Sequence, residues 1–286
     1  MSRHPQGFDG KAERFRQRIY GHRKGVIRLA LLWEQLNAQV PLLSQGPVSE
    51  GAHSKGMSSE GASREGLSRE DDRLSVLDLG CGIGQLSARL AALGHQPTLV
   101  DASSDMLQMA QAHYQDVGLM LEPSQLICAG LDAVDSLGLP QYDLVLMHAV
   151  LEWLPDPQPG LAVAAAHVRP GGYLSLAYYN RHGLIYRNLL HGNFDPIRRE
   201  HYSGHEGGFT PIHAILPDEL ESWLAPLGLE PVYRAGLRTF SDFMPRIVAE
   251  KYSDEEVLEM ERRFAEVEPY RSLGRYQHLI CRKVGV

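Results

Sequence analysis

The chain has 286 residues, of which 43% are hydrophobic and 22% are charged, and its net charge at pH 7 is −7. This length suits one large core, or one domain with an attached lobe. The three cysteines lie far apart, no histidine cluster has metal-site spacing, and no apolar run suits a membrane span or secretory signal. The sequence therefore predicts a cytoplasmic protein with reduced, buried thiols, no metal and no membrane partner.

Basic residues are concentrated towards the two ends of the chain. Residues 11–28 carry a net charge of +6 and residues 271–286 carry +4, so the remainder carries −17. Two basic segments on an acidic body could form one patch for a polyanion, or they could be solvated helix faces. Charge alone leaves both interpretations open.

The first 72 residues divide into two segments of different character. Residues 11–38 show the apolar stripe of a helix, which Gly21 and Gly25 are expected to break into two pieces. We expect this segment to pack over the mouth of the site described next. Residues 49–68 repeat a pentapeptide with one apolar residue in five, which favours a disordered linker. The predicted division is a helical cap over 1–43, a low-complexity linker over 44–72 and an α/β domain over 73–286.

The most informative stretch is residues 76–84, which read Val-Leu-Asp-Leu-Gly-Cys-Gly-Ile-Gly. An apolar strand that ends in alternating glycines and is followed by a helix is the usual place for a nucleotide-like cofactor. The dinucleotide fingerprint would place its third glycine where this chain has Gln85. A second apolar run ends in Asp101, whose carboxylate could accept hydrogen bonds from both hydroxyls of a ribose.

The rest of the chain alternates between strand and helix patterns. Residues 180–215 match no regular period, which favours a binding loop or lid. Ser253 and Glu256 form a capping box for a helix to about residue 267. Strands are predicted near 74–79, 96–101, 124–128, 142–147, 172–179, 229–238 and 274–283, and helices near 84–93, 104–117, 158–168 and 216–227.

The pattern D-x-G-x-G-x-G resembles motif I of the Rossmann-like S-adenosylmethionine (SAM) methyltransferases. Three later segments resemble the same superfamily in the right order: 130–132, 142–147 and 169–172. The resemblance implies an α/β fold with the Rossmann-like seven-stranded sheet of class I methyltransferases, SAM as the cofactor, and a methyltransferase domain over 73–286.

More specific segments resemble the tRNA 5-carboxymethoxyuridine methyltransferases, and the match covers almost the whole chain outside 44–72. They are residues 8–9, 18–21, 24–25, 32–33, 148–153, 179–184, 192–195 and 268–276. This resemblance implies methylation of the carboxylate of 5-carboxymethoxyuridine at the tRNA wobble position, forming the methyl ester. The implied partner is the anticodon loop of tRNA. One departure is that only Arg198 and Arg199 stand where the family usually has a run of basic residues.

The resemblance also implies which residues do the work. The residues implied for SAM are Arg28, Gly80, Cys81, Asp101, Gly130, Leu131 and His148. Those offered for positioning the substrate, by stacking or polar contact, are Tyr178, Tyr179, Asn180, Tyr270, Arg275 and Tyr276. No general base is needed, because a carboxylate with a pKa of about 4 is already ionised at neutral pH.

Several alternatives remain open at this stage. His148 could act as a base or simply line the pocket, Arg28 could be a surface charge, and Asp101 could be a helix cap. The residues near the C-terminal strand could be plain packing groups. The chain could also be a small-molecule carboxyl or O-methyltransferase, since fold alone does not fix substrate, or a SAM- or tRNA-binding protein without transfer activity.

Overall fold

The computed structural model describes residues 22–41, 43, 73–204 and 211–285. Within them, seven strands form one sheet in the order β3-β2-β1-β4-β5-β7-β6. Strand β7 runs antiparallel to both of its neighbours, and the pairs among β1 to β5 are parallel. The predicted α/β sheet is confirmed, with strands β1 (Ser75–Leu79), β2 (Gln96–Asp101), β3 (Leu126–Cys128), β4 (Tyr142–His148), β5 (Val168–Tyr179), β6 (Leu229–Leu237) and β7 (Tyr276–Lys283).

Helices connect these strands and cover both faces of the sheet. Short 3-10 turns occur as well, of which the turn at Leu151–Trp153, after β4, lies beside the site described below. The helices are α1 (Arg23–Gln39), α2 (Gln85–Ala92), α3 (Ser104–Asp116), α4 (Pro157–Ala166), α5 (Arg181–Leu190), α6 (Asp195–Arg198), α7 (Pro217–Leu224), α8 (Arg246–Ala249), α9 (Asp254–Phe264) and α10 (Tyr270–Leu273).

The core follows from strands that are apolar on both faces, as expected of a covered parallel sheet. In β4, Val145 and Met147 join the core under α4 and α7, whereas Leu144 and Leu146 join the core under α1, α2 and α9. A smaller cluster packs α3 against α2 and β2. The sheet is therefore a rigid platform whose edge can hold a site.

Helix α1 shares a core with the sheet rather than standing apart from it. Ile27, Leu31 and Leu36 are buried in the same cluster as β6 and α9, and Arg262 of α9 makes a two-pronged ion pair with Glu34 at 2.8 Å. Gly25 was expected to break this helix, but it lies buried inside α1. Gly21 and the predicted linker over 44–72 lie outside the described residues.

Three expectations need correction. Residues 180–215 contain helices α5 and α6, because the Asn180 side chain accepts a hydrogen bond from the His182 N–H and so caps α5. The helix that starts at the Ser253 capping box ends at Phe264 rather than near 267. Cys81 and Cys281 are buried as expected, but Cys128 is exposed because it ends the edge strand β3.

The strand ends that matter for function meet at one edge of the sheet. The registers bring the carboxyl ends of β1, β2, β4, β5 and β6 to this edge. Antiparallel β7 starts there, since Tyr276 pairs with both Tyr179 and Leu237. The strand order reverses between β1 and β4, which is where open α/β sheets bind ligands.

Candidate active site

The loop after β1 turns sharply beside this edge. The N–H groups of Gly80 and Cys81 both donate to the Val100 carbonyl, at 2.8 and 3.1 Å. Gly80, Gly82 and Gly84 all have φ between 56° and 66°, a conformation that glycine adopts without steric cost. A Cβ on Gly80 would lie 2.4 Å from a methyl carbon of Val150, so the loop needs glycine there.

Asp101 joins this loop to the helix that follows β2. Its Oδ2 accepts a hydrogen bond from the Gly82 N–H at 2.9 Å, and its Oδ1 accepts one from the Ser103 N–H at 2.9 Å. Ser103 in turn caps α3. The two N–H donors hold the carboxylate in one orientation at the end of β2, so the residue is more than the helix cap considered from sequence.

The loop predicted to flank the adenine follows β3, next to Asp101. The Ala129 N–H donates to the Asp101 carbonyl at 3.0 Å, and Gly130 precedes a 3-10 turn that begins at Leu131. Leu131 packs against the core under α4. The residues therefore stand on the same side of the sheet edge as Asp101, with an apolar side chain where the superfamily commonly has a polar one.

A chain of buried hydrogen bonds runs from the end of β4 to helix α1. His148 Nε2 lies 2.8 Å from Ser175 Oγ, Ser175 Oγ lies 2.8 Å from His278 Nε2, and His278 Nδ1 lies 2.7 Å from Gln35 Oε1. Because the Gln35 oxygen only accepts, His278 Nδ1 donates to it and Nε2 accepts from Ser175. Ser175 then accepts from His148 Nε2–H, which leaves the lone pair of His148 on Nδ1.

His148 is consequently neutral and a poor base. Burial and, to a smaller extent, the positive charge of Arg28 together lower its pKa to about 3. Burial also lowers the pKa of His278, and the neighbouring His148 adds to this effect. A base whose conjugate acid has a pKa near 3 accepts protons weakly at neutral pH. The low pKa argues against His148 as a base, and its place in the lining of the pocket stays a prediction.

We expect Ser175→Ala to destabilise the fold, because it leaves a donor on His148 and an acceptor on His278 without a partner. Each buried group left unpaired costs about 1–3 kcal/mol. Urea unfolding measures the free energy of unfolding. Ser222→Ala is the matched control, since Ser222 bonds a carbonyl of its own surface helix and should change stability by less than about 0.5 kcal/mol. Equal effects of the two variants would contradict the network.

Glu152 is a buried acid at the same edge, in the 3-10 turn after β4. Its side chain is fully buried, and neither carboxylate oxygen has a hydrogen bond of good geometry. Burial raises its pKa to about 8, while nearby backbone N–H groups and Arg28 oppose that rise. Burial also raises the pKa of Tyr276, with the Glu152 charge acting in the same direction. Arg28, Glu152 and Tyr276 therefore share one electrostatic environment.

Glu152 should make folding stability depend on pH. Its folded pKa is raised, so the folded state holds a proton that the unfolded state releases, and stability falls as pH rises from about 4.5 to about 8. Glutamine has no carboxyl group to titrate, so the variant Glu152→Gln does not lose stability in this way as the pH rises. Its free energy of unfolding minus that of the wild type should therefore rise by several kcal/mol across that window.

Chemical denaturation at pH 5, 6, 7 and 8 checks this expectation. The control is Glu259→Gln on the exposed surface of α9, whose difference from wild type should stay flat over the same window. A flat difference for Glu152→Gln would mean that its carboxyl is ionised throughout.

Arg28, the cationic residue implied for SAM binding, lies near Glu152 and Tyr276. The Arg28 guanidinium lies 5.9 Å from the centre of the Tyr276 ring, and its charge lowers the pKa values of His148, Glu152 and Tyr276. The ring contact and these pKa effects place Arg28 at the sheet edge. This position argues against the alternative that Arg28 is only a charged residue on the surface. Its placement suits a carboxylate ligand, just as that of Asp101 suits a diol.

The remaining predicted residues fall into different environments. Asn180 is structural, since its Nδ2 donates to the carbonyls of Ser272 and Gly274 at 2.8 and 2.7 Å. Tyr270 is half exposed and lies edge-on to Phe264, with ring centres 4.8 Å apart. Tyr178 is buried in the core, so its ring cannot stack on a base as the sequence analysis suggested.

Tyr179 and Tyr276 lie together at the end of β5 and the start of β7. Their rings meet edge to face with centres 5.6 Å apart. The Arg275 guanidinium lies 4.6 Å from the Tyr179 ring centre. Tyr179, Arg275 and Tyr276 are thus brought to the same edge as Arg28, whereas Tyr270 stands outside this group.

Sequence reasoning missed four residues of this edge: Glu152, Ser175, Arg238 and Asp242. Glu152 was part of a quoted motif but was given no function. Arg238 closes a predicted strand, and a basic residue at a strand end beside β7 was the available signal. Ser175 and Asp242 carried no signal in sequence, because their partners come from distant segments.

Among the described residues, no group of three or more His, Cys, Asp or Glu side chains is placed to hold a metal ion. In the same part of the chain, no helix has both the length and the apolar character needed to cross a membrane.

Comparison with known proteins gives the family. A methyltransferase domain model matches residues 77–176. Curated tRNA 5-carboxymethoxyuridine methyltransferases from two Escherichia coli strains are 34% identical over 278 residues, which is 97% of this chain and 96% of each relative. A ubiquinone biosynthesis O-methyltransferase from Bordetella avium is 32% identical over 162 residues, covering 57% of this chain and 64% of that protein.

Solved structures agree on the fold. A magnesium protoporphyrin IX methyltransferase from Synechocystis with bound SAM has a TM-score of 0.55 at 14% identity, over 96% of this chain and 93% of its own. A plantazolicin methyltransferase bound to a substrate-like analog and SAH has a TM-score of 0.53 at 11% identity, over 96% and 91%. The chain is therefore a SAM-dependent methyltransferase, and it belongs to the tRNA 5-carboxymethoxyuridine methyltransferase family.

Proposed function

We propose that this enzyme methylates the carboxylate of 5-carboxymethoxyuridine at the wobble position of tRNA, producing the methyl ester. One observation carries the proposal beyond the family likeness: the guanidiniums of Arg28 and Arg238 both lie within 6 Å of the Tyr276 ring centre, and that of Arg275 lies over Tyr179, so cationic groups gather at this edge. Burial depresses the pKa of His148 to about 3 and raises that of Tyr179 to about 12. Such a site suits a substrate that is already anionic.

The chemistry then needs little from protonation. SAM supplies, when bound, a methyl group activated by its sulfonium. A carboxylate oxygen forms the new bond to the methyl carbon, the methyl–sulfur bond breaks, and its electron pair stays on sulfur. No proton moves, so the chain's contribution is to hold both reactants in line and to exclude water.

Different residues of the site are proposed to bind different parts of the cofactor. In this proposal Asp101 receives the ribose hydroxyls, and the loop backbone at Gly80 and Cys81 lies beside the methionine part. Arg28 pairs with the methionine carboxylate, Gly130 and Leu131 flank the adenine, and His148 lines the pocket. The fixed orientation of the Asp101 carboxylate and the sharp turn of the glycine loop at the end of β1 both support this assignment.

The tRNA is proposed to lie over the same edge, with its anticodon loop splayed into the site. Exposed aromatic and basic side chains on the segments that follow β5 and precede β7 include Phe194, Arg198 and Tyr270. Splayed bases stack on such planes. Arg198 also lies 3.5 Å from Asp195, which offsets part of its charge. A tRNA substrate implies the cytoplasm as the place of action.

The test uses tRNA from cells that lack this gene. Nucleoside mass spectrometry should show the free acid without the ester, and purified enzyme with SAM should restore the ester. Unchanged ester in the deletion strain, with no transfer to acid-bearing tRNA, would overturn the proposal. Transfer to small carboxylic acids alone would identify a small-molecule carboxyl methyltransferase instead.

A further inference from the structure

A second group of charged side chains lies at the sheet edge beyond Tyr276. Arg238 follows β6, Arg275 precedes β7, and Asp242 lies in the turn between β6 and α8. The two arginines are close neighbours because the Arg275 N–H donates to the Arg238 carbonyl at 3.2 Å. Family likeness assigned substrate contact to Arg275 only in general terms and gave Arg238 and Asp242 no function.

Arg238 is held in an unusual state. Its φ is 55°, in the left-handed region that non-glycine residues rarely adopt. Its side chain is about nine-tenths buried, its guanidinium lies 5.5 Å from the Tyr276 ring centre, and its Nε has no hydrogen-bond partner. Strained backbone and an unpaired buried donor on one residue are typical of a functional position.

Arg275 shows the same lack of partners. Its guanidinium stacks on Tyr179, yet its Nη1 is buried without a hydrogen bond. The Tyr179 hydroxyl and the Ser241 hydroxyl are also buried and unpaired. Two unpaired guanidinium N–H groups and two unpaired hydroxyls thus gather in one small region beside Asp242, whose Oδ1 also lacks a hydrogen bond. Each would cost free energy unless a ligand satisfied it.

The charges in this group do not balance. Asp242 Oδ2 lies 3.3 Å from Arg238 Nη2 and 3.6 Å from Arg275 Nε, and its Oδ1 lies 3.3 Å from Lys24 Nζ. The single carboxylate of Asp242 is therefore shared by three cationic side chains. The neighbouring acid Glu261 is occupied by the N–H groups of Thr239 and Ser241 and by the Thr239 hydroxyl. Partly buried positive charge in excess calls for an anion.

The segment is also rigid before any ligand arrives. The hydrogen bonds of Glu261 fix the turn at 239–241, which lies between Arg238 and Asp242. Asn180 fixes the segment before Arg275 through its bonds to Ser272 and Gly274. Two arginines on fixed turns present a preorganised pair of donors.

We propose that Arg238 and Arg275 form the subsite that binds the carboxylate of the substrate nucleobase, with Asp242 holding both guanidiniums in place. This inference rests on the proposed function. Tyr276 joins the subsite to the cofactor site, since the guanidiniums of Arg28 and Arg238 both lie within 6 Å of its ring. A carboxylate at Arg238 would thus lie beside the methyl donor.

The subsite also explains how product leaves. Esterification removes the negative charge that the two arginines recognise, so the product loses its charge-assisted hydrogen bonds. The wild type should bind acid-bearing tRNA about 10- to 100-fold more tightly than the matching ester-bearing tRNA. The acid-to-ester affinity ratio is therefore the direct readout of the subsite.

The experiment measures this ratio in the presence of SAH for Arg238→Gln and Arg275→Gln, each as the full chain. Either variant should reduce the ratio towards one, raise KM for acid-bearing tRNA and leave the Kd for SAM unchanged. Arg238→Lys should restore part of the ratio. Arg246→Gln, an exposed arginine paired with Glu250, is the control and should keep the wild-type ratio.

The outcomes separate this inference from the proposed function. Folded variants that keep the wild-type ratio would overturn the subsite while leaving the reaction intact. If the wild type transfers no methyl group to tRNA, the probe becomes phenoxyacetate against its methyl ester, measured by calorimetry. A wild-type preference for the acid that Arg238→Gln abolishes would still support a carboxylate subsite, and no preference would overturn it. If Arg238→Gln fails to fold, Arg275→Gln carries the test.

Discussion

Replacing Asp101 with alanine is expected to weaken SAM binding by about 1.5–3 kcal/mol, which is roughly 10- to 150-fold in Kd. The variant removes a charged acceptor for the ribose hydroxyls. It also releases the N–H groups of Gly82 and Ser103, which the carboxylate holds at 2.9 Å. The loop and the start of α3 then lose their common anchor. Isothermal titration calorimetry with SAM measures the change.

Asp116→Ala provides the matched control for this experiment. Asp116 ends α3 on the exposed surface, away from the sheet edge. Its replacement should leave the Kd for SAM unchanged. Unchanged affinity in Asp101→Ala, with a normal melting temperature, would show that the end of β2 does not hold the ribose.

Replacing Gly80 with alanine is expected to abolish SAM binding at accessible concentrations and to destabilise the fold. Alanine at a φ of 66° costs about 1–2 kcal/mol. The new Cβ would also lie 2.4 Å from Val150 Cγ2, and overpacking of this kind costs about 1–3 kcal/mol more. The loop can relieve the overlap only by moving away from the edge where the cofactor binds.

Gly138→Ala isolates the two causes, because Gly138 has the same φ of 66° and no atom within 4 Å of its added Cβ. It should show the backbone cost alone and bind SAM normally. The double variant Gly80→Ala with Val150→Ala should recover part of the stability. Thermal unfolding and SAM calorimetry on the four proteins decide the matter; equal losses in Gly80→Ala and Gly138→Ala would contradict the packing argument.

The sheet could be predicted from sequence because its information is local. Each buried strand is a short apolar run, and the glycine loop and Asp101 stand at the ends of two of them. Helix α5 was missed because its stability comes from the Asn180 cap and from close packing of Gly183 against the carbonyls of Leu273 and Gly274, which no local pattern reveals. Intrinsic pattern is a weak guide where tertiary contacts decide.

The substrate half of the site was harder to predict for the same reason. Arg238 could be noticed only as a basic residue at a strand end, and nothing in the local sequence reveals that Lys24, Arg275 and Tyr276 surround Arg238 and Asp242. The hydrogen-bonded network of His148 was equally invisible, because Ser175 and His278 are 103 residues apart. Local patterns locate the cofactor, whereas long-range contacts build the acceptor site.

The position of β7 in the sheet also determines which part of the fold can form only at the end of synthesis. Gln35 and His278, which hydrogen-bond in the core, are 243 residues apart, and β7 is inserted between β5 and β6. During synthesis the glycine loop and Asp101 leave the ribosome long before Tyr276 does. Until β7 is made, β5 has an unpaired edge, and such edges favour aggregation. A chain whose synthesis stops before β7 therefore lacks both the complete seven-stranded sheet and the part of the site that is proposed to bind the substrate.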